Sequence, residues 1–230
     1  MSRADATRAI EAGRVEVDGR LITDPARRVV PERARIVVDR RAASRSPWRT
    51  ILFHKPRGIV TTRRDREGRR TVHDVLGAGA RALIAVGRLD LASTGLLLLT
   101  TDTQLANWIA DPANAVPRLY VVTVRGRVVQ EAADRLTRGV DSGRGRLAAH
   151  AVRLRKSSAR ESHLVVELRE GRNREVRRLF AAIGHEVTAL KRVQLGGLAL
   201  KSVGPGEWRE LSREEIARAF PGAPIGRHNG

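Results

Sequence analysis

The chain of 230 residues contains no cysteine. Neither a disulfide nor a thiolate metal site is therefore available, and redox usage says nothing about compartment. Its six histidines (His54, His73, His150, His163, His185 and His228) are scattered without paired spacing. That excludes zinc-dependent base deamination, which needs Cys or His ligands at fixed intervals. No apolar run approaches the roughly 18–20 residues of a membrane span. Met1-Ser2-Arg3-Ala4-Asp5 lacks the apolar stretch of a secretory signal, so a cytoplasmic protein without membrane attachment is expected. Lysine is scarce too: Lys55, Lys156, Lys191 and Lys201 are four of 44 basic residues, the rest being Arg.

Acids number only 25, which leaves a formal net charge of +19 and a pI near 11.7. An excess of this size is the electrostatic footprint of nucleic-acid binding, and guanidinium groups make planar, bidentate contacts with phosphate that ammonium groups cannot. Hydrophobic residues at 41 % and charged residues at 30 % are ordinary globular usage, so the chain folds despite its charge.

The first 41 residues read as a helix (Ala6, Ala9, Ile10), a hairpin turning at Asp18-Gly19, and a further strand at 35–39. Residues 42–48, poor in large apolar side chains and containing Pro47, read as a linker. A second domain follows over 49–220, with a tail over 221–230. Its signals are a buried strand at 50–54, a turn at Lys55-Pro56-Arg57-Gly58 into a second strand at 59–61, a basic loop at 63–70, and strands at 119–124 and 163–168. Helices are expected after Asp102, over 129–136, around Val176, Leu179, Phe180 and Ile183 before Gly184, and after the capping box of Ser212 and Glu215. Tight turns join strands as often as helices do, which predicts an α+β fold with a mixed, largely antiparallel sheet. Residues 1–41 carry a net charge of +3 and the remainder +16, so the larger domain must provide most of any nucleic-acid surface.

Three islands in that domain carry chemistry. Gly87-Arg88-Leu89-Asp90, followed by Ser93-Thr94-Gly95 and four leucines, puts one carboxylate on a turn in a basic chain. Tyr120 sits in Arg118-Leu119-Tyr120-Val121-Val122, and Glu170 to Arg178 forms an arginine-rich cluster. Each has a structural reading: a turn residue, a strand aromatic, a solvated helix face.

Together and in this order they resemble the pseudouridine synthases of the RsuA and RluB type. The resemblance covers Leu52 to Gly58, Thr61-Thr62 through Thr71 to Leu76, Gly87 to Asp102, Gly171 to Arg178, Gly184-His185, Lys191-Arg192 and Pro205 to Leu211. It implies isomerisation of uridine to pseudouridine in RNA without metal or cofactor. Asp90, Tyr120 and Arg177 correspond to the family's aspartate, its active-site tyrosine and the basic partner of the aspartate. An ionised carboxylate can attack the anomeric carbon or remove the neighbouring sugar proton, and the residues leave both routes open. A hydrolytic glycosidase would set two carboxylates across the bond, and only one good candidate is present. The target uridine must leave the stack, and Arg side chains of loop 63–70 could fill the gap.

The residues expected to hold RNA are Arg88, Lys55, Arg57, Arg63, Arg64, Arg66, Arg69, Arg70, Arg172, Asn173, Arg174, Arg178, Lys191 and Arg192, with Arg8 and Arg14 in the first domain. That domain resembles an alpha-L RNA-binding domain over Ala6 to Gly19, the usual first helix lying upstream of this segment. The wording Gly171 to Arg178 is closer to members acting on large-subunit rRNA, so 23S rRNA or a large-subunit assembly intermediate is the expected partner of a monomeric enzyme. Competing readings are an RNA-binding assembly factor that lost the reaction and a base-excising glycosidase.

Overall fold

The computed structural model describes residues 3–29, 34–43 and 47–225. Of the expected linker, residues 44–46 lie outside the described residues, and so do 226–230 of the expected tail. The chain divides into two compact units, Met1–Pro47 and Trp48–Gly230.

The first unit packs helix α1 (Arg3–Glu11) with strands β1 (Val15–Val17), β2 (Arg20–Ile22), β3 (Ile36–Val38) and β4 (Arg41–Ala42), in sheet order β2-β1-β3-β4. Asp18 and Gly19 both have positive φ, at 51° and 77°. This is the twist a two-residue hairpin turn requires, and it explains why Asp-Gly marks the turn in the sequence. Ala9, Val15, Val17 and Ile22 form its buried face.

The second unit is built on a nine-stranded sheet. Its strands are β5 (Thr50–Lys55), β6 (Ile84–Ala85), β7 (Thr94–Thr100), β8 (Arg118–Arg125), β11 (Ala151–Ser157), β12 (Glu161–Leu168), β13 (Val187–Leu195), β14 (Leu198–Ala199) and β15 (Trp208–Glu210), while β9 (Val140–Asp141) and β10 (Arg146–Leu147) form a separate hairpin. The order along the sheet is β11-β12-β8-β13-β7-β5-β15, with β6 on β7 and β14 on β13. Every pairing is antiparallel except β7 with β13.

Leu96 to Leu99 run without alternation because β7 is covered on both faces. Leu97 and Leu99 join the cluster containing Phe53, Val122, Leu164, Leu179 and Phe180. Leu96 and Leu98 join the opposite one, with Leu105, Ile109, Ile216 and Phe220. Helices α4 (Gln130–Arg138) and α5 (Glu175–Ala181) supply the first cluster, α3 (Thr103–Ala110) and α6 (Arg213–Ala219) the second. A short helix, α2 (Val72–Leu76), is held by a capping box between Thr71 and Asp74.

The strand expected at 59–61 is absent. Val60 makes one isolated parallel bridge to Thr71, and the Thr61 hydroxyl donates to Leu89 O at 2.9 Å. A side chain tied to a neighbouring loop takes the place of a strand ladder here.

The parallel pair brings two backbones unusually close. Gly95 has φ +109°, and a Cβ built on it would lie 2.1 Å from Arg192 O. Gly95→Ala is expected to lower the unfolding free energy by about 3 kcal/mol or more, from backbone strain plus overpacking. Gly79→Ala, whose Cβ would meet only the Arg49 guanidinium at 3.8 Å, should change it by less than about 0.5 kcal/mol. Urea denaturation of the two variants checks the contrast.

Candidate active site

The turn between β6 and β7 is held from beneath by a buried cation. Lys55, at the end of β5, is 0 % exposed. Its ammonium donates to the carbonyls of Ser93 at 2.9 Å, Pro56 at 3.1 Å and Asp90 at 3.2 Å. Three donors meet three acceptors, so the desolvated charge is hydrogen-bonded throughout. Burial pulls the Lys55 pKa down to about 8, and the nearby Asp90 carboxylate opposes the shift. Ser93 N–H donates to Asp90 O at 3.0 Å, and Gly58 N–H to Leu91 O at 2.9 Å. Asp90 is thus carried on a turn whose backbone is fixed on three sides.

Above the turn lies a cleft of about 270 Å³. Its walls come from Gly87 to Asp90, from Tyr120 on β8, from Gly171 to Val176, and from Leu190 and Arg192 on β13. Tyr120 is 9 % exposed, and its row in the sheet runs from Val166 on β12 to Arg192 on β13.

Arg177 is fixed by donating from Nη1 to Val187 O at 2.8 Å. Its Nε lies 3.7 Å from Asp90 Oδ2 and has no hydrogen-bond partner. Burial and the adjacent Arg174 lower the Arg177 pKa, while Asp90 raises it. Arg174 Nη1 approaches the same oxygen at 3.5 Å. Arg174 has φ 50°, in the left-handed region, an uncommon conformation for a residue with a side chain. Two guanidinium groups therefore face one carboxylate oxygen, both slightly beyond hydrogen-bond length.

The remaining expected RNA contacts divide by geometry. Arg88, Arg172 and Asn173 are exposed on the cleft wall, and Arg57 is exposed nearby in sequence to Lys55. Loop 63–70 is folded around Asp65. That carboxylate accepts from the backbone of Glu67 and Arg69 and from both the Nε and Nη2 of Arg69, and Arg69 pulls its pKa down to about 2. Arg69 also pairs with Glu67 at 2.8 Å, and Arg63 is anchored on Leu83 O at 3.2 Å. Arg64, Arg66 and Arg70 are exposed.

Arg178 is turned toward the β9–β10 hairpin, donating to Ser142 Oγ at 2.6 Å and to Arg144 O at 3.1 Å. Lys191 lies on the face of β13 opposite to Arg192, beside Val121. In the first unit Arg8 contacts Asp5, and Arg14 pairs with Asp39 at 3.1 Å.

Two residues of the cleft escape a reading of motifs. Arg118, two places before Tyr120 and so on the same face, is 6 % exposed, and the carbonyls of Val116, Ile109 and Arg169 accept from it. The period-2 spacing was the available signal. Glu175 is a second carboxyl on the wall, 4 % exposed. Burial raises its pKa, and it accepts from Arg172 N–H at 3.1 Å, closing the turn that carries Arg174. Among the described residues no three His, Cys, Asp or Glu side chains converge as a metal-ligand set, and no helix is long and apolar enough to cross a membrane.

This strongly basic unit thus presents an aspartate facing two arginines in a cleft. Residues 49–182 match the RNA pseudouridylate synthase family and residues 2–33 the S4 domain. The chain is 41 % identical over 218 residues to ribosomal large subunit pseudouridine synthase B of Escherichia coli (strain K12), covering 91 % of this chain and 75 % of that one. It is 34 % identical over 219 residues to the protein of the same name from Bacillus subtilis (strain 168), covering 94 % and 89 %. A crystal structure of a pseudouridylate synthase superposes with a TM-score of 0.67 at 25 % identity, over 95 % of this chain and 94 % of the other. The chain belongs to the RNA pseudouridylate synthase family and is a pseudouridine synthase, an isomerase acting on RNA.

The Lys55 clamp leaves a signature in stability. Its pKa is about 8 in the folded protein and returns to about 10.4 in the unfolded chain. Between these values the unfolded state binds the extra proton, so this group makes folding more favourable as pH rises from 8 toward 10. Urea titrations across that range should show the gain in the wild type and its absence in Lys55→Met.

Proposed function

We propose that the protein isomerises a specific uridine of large-subunit rRNA, and that Asp90 breaks the glycosidic bond without metal or cofactor. The observation that carries this reading is the placement of the Asp90 carboxylate at the cleft mouth, faced by Arg174 at 3.5 Å and Arg177 at 3.7 Å, with Tyr120 on the opposing strand wall. The relatives named as large-subunit synthases support the choice of rRNA.

A uridine flipped into the cleft presents C1′ to Asp90 and its ring to Tyr120. The two guanidinium groups orient the carboxylate, which then either attacks C1′ or takes the 2′ proton. The detached uracil turns in the cleft and rejoins through C5, with the Tyr120 hydroxyl assisting the proton that leaves C5. Glu175, the second carboxyl on the wall, accepts from Arg172 N–H through one oxygen and closes the turn that carries Arg174. Arg88, Arg172 and Asn173 lie where the RNA backbone enters, and the S4 unit adds affinity as the protein works, a monomer in the cytoplasm. Loop 63–70 is a preformed grip: Asp65 and Arg69 fold it, while Arg64, Arg66 and Arg70 present charge to phosphate.

Pseudouridine mapping of rRNA from a deletion strain should show one site lost and restored by the wild-type gene. Asp90→Asn should lower single-turnover conversion by at least about 10⁴-fold, the loss seen when an enzyme loses its reacting group, with RNA affinity nearly unchanged. RNA mass should stay constant through the reaction, since excision would remove one base. In the loop, Arg66→Ala should weaken binding and reduce the slope of log affinity against log salt by about one. Arg69→Ala should unfold the loop instead and expose residues 63–70 to limited proteolysis.

A further inference from the structure

Opening the C1′–N1 bond requires that the electron pair leaving with the base be stabilised in the transition state. The cleft floor contains a cation free to do this. Arg118 and Arg192 are 6 % and 3 % exposed, and among the described residues neither has a carboxylate within 4.0 Å. Arg118 is satisfied by three carbonyls. Arg192 is not: its Nε donates to Leu96 O at 2.7 Å, and its buried Nη2 has no partner.

The register sets Arg192 directly opposite Tyr120 on one side and Gly95 on the other. Directly paired side chains have Cβ atoms about 5 Å apart, so the guanidinium shares the inner face with Tyr120 and has no side chain beside it on β7. A desolvated guanidinium with a spare donor and no counter-charge is costly to maintain. Such a group fits a place where negative charge arrives during the reaction.

We propose that Arg192 is a catalytic residue that stabilises the departing uracil as an anion, through a hydrogen bond from Nη2 to a ring carbonyl oxygen. The inference rests on the reading that places uridine between Asp90 and Tyr120. As the bond breaks, its electron pair leaves on N1 and spreads onto the ring oxygens O2 and O4. Rejoining forms the C1′–C5 bond, releases the C5 proton and leaves N1 protonated, so that no atom or electron is gained or lost. The oxygen becomes more negative along this path, and Arg192 therefore holds the transition state more tightly than the ground state. Nη2 is buried and without a partner, so the contact forms when entry of the base displaces the atoms that cover it.

The test compares single-turnover breaking of the C1′–N1 bond in a large-subunit rRNA fragment carrying uridine or 5-fluorouridine at the modified position. Fluorine withdraws charge from the ring, so the detached base is a more stable anion and depends less on the cation. Arg192→Met should slow the uridine substrate about 100-fold and the 5-fluorouridine substrate by about tenfold or less, with RNA affinity changed by less than about threefold. Arg192→Lys, which keeps the charge, should recover most of the rate. The ratio of the two substrates on one preparation is independent of the fraction folded, so partial unfolding of a variant cannot imitate the result. Equal losses on both substrates, a loss confined to RNA affinity, or a lysine variant no faster than the methionine variant would overturn the role of Arg192. A wild-type protein that leaves uridine unconverted would overturn instead the reading on which it rests.

Discussion

The site depends on one buried ammonium. Lys55 reaches from the end of β5 under the turn that carries Asp90, and its three donors meet the carbonyls of Pro56, Asp90 and Ser93. An unpaired charge at that depth would cost several kcal/mol. The turn is therefore folded around the cation as much as the cation is held by the turn. The hydrogen bonds go to backbone rather than to the Asp90 carboxylate, which leaves that carboxylate facing the cleft and the arginines. One side chain thus fixes where the Asp90 carboxylate stands.

The second constraint is the parallel contact between β7 and β13. A side chain at Gly95 would strike the Arg192 backbone, so glycine there lets two strands far apart in sequence lie side by side. That contact sets the row Tyr120, Arg192, Gly95 next to the start of β7, only a few residues past Asp90. The four leucines that follow hold β7 in place by burying both faces, each contributing about 1.5–3 kcal/mol. Packing of the core and assembly of the cleft are in this sense the same event.

Charge acts at two ranges. The excess of +16 beyond residue 41 draws a polyanion toward the larger unit, where screening confines the attraction to about 10 Å at 0.1 M salt. Within that distance individual arginines do different work. Arg69 folds a loop through Asp65, Arg118 ties three backbone segments together, Arg174 and Arg177 face Asp90, and Arg64 and Arg66 remain open to solvent. Composition counts these side chains alike, although only some are in a position to meet phosphate.

Much of the fold was legible because local physics fixes it. The Asp18-Gly19 turn, the Asp102 cap of α3, the capping box of α6 and the alternation of β8 each follow from short-range sequence. Strand β13 was not legible, because bulges between Val187 and Ala189 and between Arg192 and Gln194 break the period of two, and β11 carries too few apolar residues to show it. The expected strand at 59–61 failed because Thr61 bonds to Leu89 in a distant loop. By itself the sequence determined the mixed α+β class, the family, and the residues Asp90, Tyr120 and Arg177 as candidates, since colinear motifs and local turns are written in neighbouring residues. Only the tertiary structure decided that Lys55 is a buried clamp and that Arg192, beside Tyr120, has no carboxylate partner among the described residues. Burial and partnership are set by segments 30 to 100 residues away, and no local pattern encodes which of many arginines will lose its water.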